Sequence, residues 1–337
     1  FCDALANFHN ILFLLPQKKI SDEKIYKNYS IKNKIVFKSM TKNKLINKFH
    51  KLFFYFNILK LIFNSKEEYI FLSRSIMISI FLSFLNKKNT LEIHHNLSGI
   101  SNLLFRVLIN TSFRKNLSLI LINKNLIKDL DVYKINYIIL DDASDQIHPL
   151  KDKNCLKNTC VYVGSFYKGK SIELLVKIAE KMPDFNFHLY GDFSVLKKRG
   201  FTNFKSNIKL MRRLDYFEVP KILKKYHIAL MPFQNKISGK SNNLEISKYI
   251  SPLKMFDYLS VGNIIIASDL QAYKHILKDD FNSFLISNKN IDEWKKRIIK
   301  IFRRPSSYRK IKLKAIDTAK MYSWDNRAKK YINFIKS

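Results

Sequence analysis

Short apolar runs alternate with helical patterns along all 337 residues of the chain. Such runs are typical of strands buried on both faces, and the helices between them favour a parallel sheet covered on both sides. The sequence predicts strands at 11–15, 35–37, 69–72, 90–94, 117–122, 137–140, 160–163, 186–190, 208–210, 228–231, 264–267 and 284–286. The predicted fold class is therefore α/β, with doubly wound parallel sheets.

The same scheme occurs twice, on either side of a polar run at 151–158 that is predicted to be a linker. Helices are predicted at 45–63, 75–85, 102–109, 124–130, 170–181, 219–225, 252–261, 271–277, 291–302 and 306–335. The chain is long enough for two domains with a core each. We predict an N-terminal domain over 1–150, a second domain over 158–320 and a closing helix over 321–337.

The sequence begins in the middle of the strand-helix alternation, with a predicted helix and not with a strand. Residues 1–8 are predicted to be part of a helix that leads into the strand at 11–15. A parallel α/β domain normally opens with a strand. We therefore expect that a further strand and its loop precede Phe1 in the first sheet.

The net charge of +34 is extreme, and Lys and Arg are spread along the whole chain. Lys, Asn, Ile and Phe are all abundant, so we assign part of the charge to an AT-rich coding sequence. The rest implies attraction to anions, such as nucleotides, nucleic acid or an acidic membrane face. A nucleic-acid-binding protein stays an alternative on charge alone, because the sequence has no zinc-ligand spacing, helix-turn-helix or aromatic RNA-binding signature.

Cys2, Cys155 and Cys160 are too few for a disulfide framework and fit a reducing compartment. The sequence has no signal-peptide pattern and no uninterrupted apolar run that could span a bilayer. We therefore expect a cytoplasmic protein.

The most apolar region, 45–63, places Phe49, Phe53 and Phe56 at helical spacing among several lysines. It is interpreted either as a core helix of the first domain or as a basic, aromatic helix that rests on a membrane. The second interpretation leaves open a peripheral association with the inner face of the cell membrane.

The stretch GSFYKGKS, 164–171, matches the phosphate-loop pattern G-x-x-x-x-G-K-[ST] between a predicted strand and a predicted helix. A loop wrapped around phosphates has little room for the bulky Phe166 and Tyr167. A phosphate-loop nucleoside triphosphatase or kinase is therefore kept as an alternative and is not the favoured interpretation. A dinucleotide dehydrogenase is excluded, because the chain contains no G-x-G-x-x-G.

Three stretches together resemble glycosyltransferase family 4, and these are VYVGSFYKGKSIELLVKIAEKMPDFNFHLYGD (161–192), LKKYHIALMPF (223–233) and ISPLKMFDYLSVGNIIIASDLQAYKHIL (250–277). The tail YSWDNRAKKYINFI (322–335) is similar to the closing helix of that family. FCDALANFHNILFLLP (1–16) and TLEIHHN (90–96) resemble parts of its first domain. The resemblance, in a version with Ser-Pro-Leu-Lys at 251–254, implies two facing Rossmann-like domains of the GT-B type.

The resemblance implies that Gly164 and Lys170 belong to the site for the diphosphate of a nucleotide sugar, with Lys170 in contact with the phosphates. The family often has Arg directly after the glycine, where this chain has Ser165. Arg212 is expected to compensate for that missing charge. Arg213 and Lys254 are further candidates for this role, with a solvated surface cation as the favoured interpretation of both.

The family that the sequence resembles has a pair of glutamates with seven residues between them. Asp257 stands at the second position and is expected to accept the hydroxyls of a nucleotide ribose, whereas Tyr249 stands at the first and cannot act as a carboxylate. Ser251 and the backbone near Leu253 are expected to meet the diphosphate at a helix start.

His94 ends a predicted strand, and the carboxyl ends of strands face the ligand in such sheets. The resemblance makes His94 a catalytic residue on the sugar or acceptor side. Glu92 and His95 flank it around the pleat of the strand, so not all three can share its face.

The resemblance implies a retaining, hexosyltransferase-like enzyme that moves a sugar from a nucleotide diphosphate sugar to an acceptor hydroxyl. No cofactor and no obligatory metal are expected. The expected partners are the nucleotide sugar, a saccharide or lipid-linked acceptor of surface polysaccharide or glycoconjugate synthesis, and an acidic membrane surface, but not nucleic acid.

Overall fold

The computed structural model describes residues 1–16, 20–40, 50–64, 68–145, 147–148, 155–170, 172–237 and 247–337. The chain forms two compact units. The first contains Phe1–Leu140 together with Arg327–Ser337, and the second contains Asp141–Asn326. Both units have an α/β fold built on parallel sheets. Across the described residues, no helix has the length and apolar composition that crossing a membrane requires.

The first unit contains two parallel sheets, with strand orders β1-β2 and β3-β4-β5-β6. Its strands are β1 (Ile11–Leu15), β2 (Ile35–Ser39), β3 (Phe71–Ser73), β4 (Asn89–Ile93), β5 (Leu117–Leu121) and β6 (Asn136–Ile139). Its helices are α1 (Cys2–Leu5), α2 (Asp22–Tyr29), α3 (His50–Asn64), α4 (Ile76–Phe84), α5 (Gly99–Ile109) and α6 (Asn125–Leu130). The strand expected before Phe1 stays a prediction.

The second unit contains one six-stranded parallel sheet of order β12-β11-β10-β7-β8-β9. Its strands are β7 (Thr159–Val163), β8 (Asn186–Tyr190), β9 (Ile208–Met211), β10 (Ile228–Met231), β11 (Ile264–Ser268) and β12 (Phe284–Ile286). Its helices are α7 (Ile172–Glu180), α8 (Phe193–Lys198), α9 (Val219–Leu223), α10 (Leu253–Val261), α11 (Ile291–Arg303) and α12 (Arg309–Met321). A last helix, α13 (Trp324–Lys336), begins in this unit and from Arg327 onward belongs to the first.

The strand order of the second unit reverses between β7 and β10. The chain adds β8 and β9 on one side of β7, then crosses to place β10, β11 and β12 on the other. In open α/β sheets, ligands bind beyond the carboxyl ends of the strands at such a reversal. The topology alone therefore marks the loops after β7 and β10 as the place to look for a site.

Alternation along β7 divides the core of the second unit between the two faces of the sheet. Cys160 and Tyr162 pack in one buried cluster with Trp294, whereas Val161 packs in the other with Tyr258. Successive side chains of a strand point to opposite faces, so a strand covered by helices on both sides is apolar throughout.

The predicted strands are confirmed, and the bounds of β1, β8, β10 and β12 are those predicted. The predicted helix at 271–277 is wrong, because only a 3₁₀ turn forms over Gln271–Tyr273 and the Asn282 side chain binds the Ile276 carbonyl. Residues 149–154 of the linker region and 45–49 of the predicted apolar helix lie outside the described residues.

The long helix predicted at 306–335 is also wrong, because it breaks into α12 and α13. The Ser144 amide donates to the Tyr322 carbonyl, and the Trp324 amide donates to the Ser144 carbonyl. Hydrogen bonds to Ser144 therefore use the backbone groups of Tyr322 and Trp324 that a continuous helix would use. The local sequence gives no sign of this break, because Ser144 is remote in sequence.

Candidate functional site

The loop 164–170 lies between β7 and α7, at the sheet reversal. Gly164 has φ +152°, and a Cβ added there would lie 2.6 Å from Lys254 Nζ. Gly169 has φ +79°, and a Cβ there would lie 2.0 Å from the Lys236 carbonyl oxygen. Both positions therefore need glycine, for conformation and for space. The Gln234 amide donates to the Gly169 carbonyl at 3.0 Å, which joins the loop to the segment after β10.

Aromatic side chains anchor this loop from below. The Tyr162 hydroxyl lies 2.7 Å from the Ser165 carbonyl oxygen and 2.9 Å from that of Lys170. Phe166 is buried and stacks on Tyr162, with ring centroids 5.7 Å apart. Its bulk, which fits poorly in a loop wrapped around phosphates, is therefore accommodated in the core.

Two lysines are associated with this loop, and their charges influence each other. Lys170 is half-buried, and burial lowers its pKa. The Nζ of Lys254, in the first turn of α10, is buried 3.6 Å from the centroid of the Tyr162 ring. Burial, and next the charge of Lys170, hold the pKa of Lys254 well below its usual range. The expectation of a solvated surface cation at Lys254 is wrong, because its ammonium is covered by the loop after β7.

Asp257 lies one turn further along α10, on the side that also carries Lys254. Burial, and next the charge of Asp145, raise the pKa of Asp257 to about 7. The hydroxyl of the following residue, Tyr258, accepts a hydrogen bond from the Val163 amide at 2.9 Å. The helix that carries Lys254 and Asp257 is therefore pinned to the carboxyl end of β7.

The segment before α10 places Ser251 and Tyr249. Ser251 Oγ accepts a hydrogen bond from the Asp142 amide at 3.0 Å and lies 3.5 Å from an Asp141 carboxylate oxygen. Tyr249 is buried, with Lys248 Nζ 5.7 Å from its ring centroid. Leu253 is the first residue of α10 and is exposed.

Arg212 occupies a different environment from the two lysines. It is exposed, and its guanidinium makes two contacts with the Glu218 carboxylate, one of them 2.9 Å long. The same group donates to the Arg213 carbonyl at 3.1 Å. Arg212 is thus already charge-compensated, and Arg213 is an exposed cation as expected.

His94 lies in the first unit, directly after β4, beside a buried carboxylate. His94 Nε2 lies 2.7 Å from Glu92 Oε1, and the same oxygen accepts hydrogen bonds from Arg74 and Arg327, each at 3.0 Å. Burial alone would raise the pKa of Glu92, but the hydrogen bond from His94 and the charges of Arg327 and Arg74 outweigh it and lower that pKa. An ionised Glu92 therefore holds His94 through Nε2 and leaves Nδ1 as its other polar atom.

Among the predicted site residues, the structure brings Gly164, Ser165 and Lys170 together at the end of β7. Sequence reasoning named Lys254 as a candidate but favoured a surface position for it, and it missed the pairing of Glu92 with His94. Spacing could have paired Glu92 with His94, because residues two apart share one face of a strand, whereas the burial of Lys254 depends on the loop above it. Asp145, which acts on Asp257 from a distant part of the sequence, left no such signal.

Solved structures with this architecture include HepE from Anabaena with UDP and glucose, which is 11% identical, with 99% of this chain and 94% of that chain covered and a TM-score of 0.70. Sucrose-phosphate synthase from Thermosynechococcus elongatus is 10% identical, with 99% and 90% covered and a TM-score of 0.71. S. aureus TarM, in complex with fondaparinux, alpha-GlcNAc-glycerol and UDP, is 16% identical, with 80% and 55% covered and a TM-score of 0.57. The chain thus has the fold of the GT-B glycosyltransferases, and it spans about half the length of TarM.

Residues 143–318 match the family described as Glycosyl transferases group 1. This match covers just over half of the chain, so the protein belongs to that family. No curated protein sequence matches the chain.

Proposed function

We propose that the chain transfers a sugar from a nucleotide diphosphate sugar to an acceptor hydroxyl. The observation that carries this proposal is the loop 164–170, which presents Lys170 at the reversal of the second sheet. A half-buried cation at this point is suited to a diphosphate, which carries its charge in the middle of the ligand. The complex of HepE with UDP and glucose supports this ligand class.

Cleavage of the donor breaks the bond between the anomeric carbon and the diphosphate and builds negative charge on the leaving oxygen. Lys170 and the first-turn amides of α10 near Leu253 would stabilise that charge, which is electrostatic work that needs no obligatory metal. The Ser251 hydroxyl would join them by turning its proton from the Asp141 carboxylate to the diphosphate, while it still accepts from the Asp142 amide. Asp257 would accept the ribose hydroxyls, and His94 would bind the sugar or acceptor through Nδ1.

Retention of the anomeric configuration is the finer part of the proposal. The acceptor oxygen would bond to the anomeric carbon on the face that the diphosphate leaves, and the acceptor proton would pass to a leaving phosphate oxygen. The chain offers Asp257 as the acid of this site, with Tyr249 at the other position of the family's acidic pair, so a two-carboxylate scheme is not invoked. Proton NMR of the product formed within one turnover reports its anomeric configuration.

A thermal-shift panel of nucleoside diphosphates and nucleotide sugars tests the proposal. A ligand at about 100 times its Kd stabilises the folded protein by about 2.7 kcal/mol, so a true donor raises the melting temperature. Lys170→Ala is expected to abolish the shift. Lys168→Ala, which removes an exposed cation from the same loop, is the matched control and is expected to keep it.

The same panel separates the proposal from a phosphate-loop triphosphatase. A shift that persists in EDTA, without turnover of ATP, favours the transferase. The proposal fails if no nucleotide sugar or nucleoside diphosphate moves the melting temperature, or if Lys170→Ala responds like the unsubstituted protein.

For the acceptor, we infer a saccharide or lipid-linked molecule reached at the inner face of the cell membrane. Phe53, Phe56 and Phe63 of α3 are exposed beside Lys60, while Ile58 on the same helix is buried. A helix with a core face and an aromatic, basic outer face suits an acidic bilayer, and the net charge of +34 adds attraction. Sedimentation with phosphatidylglycerol vesicles at low salt, reduced by Phe56→Ser, is the expected result. Absence of vesicle binding by the unsubstituted protein would contradict the inference.

A further inference from the structure

We propose that Lys254 is the second cation of the diphosphate site, and that its amine takes up a proton from solvent as the diphosphate binds. The proposal rests on the proposed function and adds a residue and a proton to it. The family resemblance offered Lys254 only as one of several candidate cations, with a surface position favoured, and the phosphate-loop pattern does not include it.

The position of the Lys254 Nζ carries the first step. It lies beneath the loop 164–170, 3.6 Å from the centroid of the Tyr162 ring and 5.2 Å from that of Phe233, which follows β10. The side chain thus bridges the ends of the two strands between which the sheet order reverses. A Cβ at Gly164 would lie 2.6 Å from Nζ, so the glycine also makes room for this amine.

The polar surroundings of Lys254 carry the second step. Within the part of the chain that the structure describes, its buried Nζ has no hydrogen-bond partner. Its pKa responds to two influences, burial and the like charge of Lys170. The Tyr162 hydroxyl is directed at the Ser165 and Lys170 carbonyls, and Asp257 on the same helix responds to Asp145 instead. A buried amine beside another cation and without a carboxylate is costly, and an anionic ligand removes that cost.

The proton follows from the same arrangement. Burial and Lys170 favour the neutral amine in the unliganded protein, because both oppose a second positive charge. A diphosphate bound against Gly164 reverses that balance. One proton then moves from solvent to Lys254, and the resulting ammonium supplies the positive charge that Ser165 cannot.

Calorimetric titration with UDP-glucose in buffers of different ionisation enthalpy counts this proton. The probe carries no proton on its diphosphate near neutral pH, so uptake reports on the protein. We expect the unsubstituted protein to take up more protons than Lys254→Met, by up to about one per site, with the affinity of the variant lower by about tenfold or more. Lys168→Met is the matched control, since it removes an exposed lysine of the same loop and is expected to change neither quantity.

The unliganded stability of the same variants gives an independent readout. Replacing a buried, unpaired amine with an apolar chain of similar length is expected to raise the melting temperature by about 2–6 °C. A loss of binding caused by damage to the fold would lower it. Gain of stability with loss of affinity is therefore the signature of a residue retained for a ligand.

The possible outcomes separate this proposal from the proposed function. If UDP-glucose binding depends on Lys170 but proton uptake and affinity are unchanged in Lys254→Met, the proposal fails and the proposed function stands. Inorganic pyrophosphate, which has no base or sugar, is the second probe. If pyrophosphate shows Lys254-dependent proton uptake while no nucleotide binds, the anion site stands and the proposed function fails. A fall in melting temperature for Lys254→Met would overturn the proposal directly.

Discussion

Glu92 in the first unit and Lys254 in the second are both buried ionisable groups, and their surroundings differ in opposite ways. In the first unit, the Glu92 carboxylate is contacted by His94, Arg74 and Arg327. In the second, the Lys254 amine lies against aromatic rings with another lysine nearby. A compensated charge holds its partners in place, whereas an uncompensated charge reduces stability until something binds.

This difference indicates what each cluster does. Glu92 fixes the orientation of His94 and ties β4 to the C-terminal helix, so it is a positioning residue. Within the described residues Lys170 and Lys254 contact aromatic rings but form no ion pair, and on the proposal above their value lies in the anion they attract. Removing charge should therefore damage the first cluster structurally and the second functionally.

Glu92→Gln is expected to have the largest effect on stability. It keeps the shape of the side chain but removes the buried negative charge that Arg327 contacts, and breaking a buried ion pair costs about 3–5 kcal/mol. Because the folded-state pKa of Glu92 is lowered, its contribution is present above the unfolded value of about 4.3 and is lost as the pH falls below it. Hydrogen exchange of β4 and β5 peptides measures the effect in this unit alone.

The control for Glu92 is Asp131→Asn in the same unit. Asp131 forms an exposed ion pair with Arg106, which is worth at most about 1 kcal/mol. Asn also tolerates the left-handed backbone of that position, φ 53°. If the two substitutions lowered stability equally, the comparison would be wrong, because the burial of the charge would then make no difference to stability.

Lys170→Ala is expected to lower the rate of sugar transfer by about 10²–10³-fold, since it removes a preorganised charge from the leaving diphosphate. The stability of the unliganded protein should change by less than about 0.5 kcal/mol, because Lys170 forms no ion pair with any residue that the structure describes. Steady-state kinetics and urea unfolding of the same samples provide both values. If the variant is inactive because its second unit is destabilised, the prediction is wrong, and Lys170 has a structural role like that of Glu92.

Asp257 predicts a smaller effect on nucleoside diphosphate affinity. The affinity that depends on Asp257 should rise with pH, whereas the affinity that depends on proton uptake by Lys254 should fall with pH. With a pKa of about 7, its carboxyl ionises as the pH rises through neutrality and then accepts ribose hydroxyls more strongly. Nucleoside diphosphate affinity due to Asp257 should rise by up to about tenfold between about pH 6 and about pH 8. Asp257→Asn should flatten that part of the profile. A profile unchanged by the substitution would remove Asp257 from the ribose site.

Much of this architecture could be predicted because buried parallel strands are short, apolar and separated by helices. The reversal at β7 and β10 follows from chain order only once strand pairing is known. Helix α2 was missed because its single buried residue, Ile25, gives no periodicity, although Ser21 caps it. The break between α12 and α13 depends on Ser144, which is remote in sequence.

Gly164 and Lys170 of the site could be predicted from the sequence, because both belong to one short loop pattern between a strand and a helix. Lys254 was assigned to the surface, since a lysine in a first helical turn is usually solvated. Its burial depends on the Tyr162 ring and on the path of the loop above it. Burial of a charge is a property of the assembled fold, so the sequence alone could not supply it.

The participation of Arg327 in the first unit has a consequence for synthesis on the ribosome. Residues up to Leu140 emerge before Arg327, a partner of Glu92 that lies 235 residues further along the chain. At typical translation rates the nascent unit waits on the order of 10–40 s with that acid incompletely paired. Truncated products of translation would therefore lack a finished N-terminal half, and proteases could distinguish them from full-length chains.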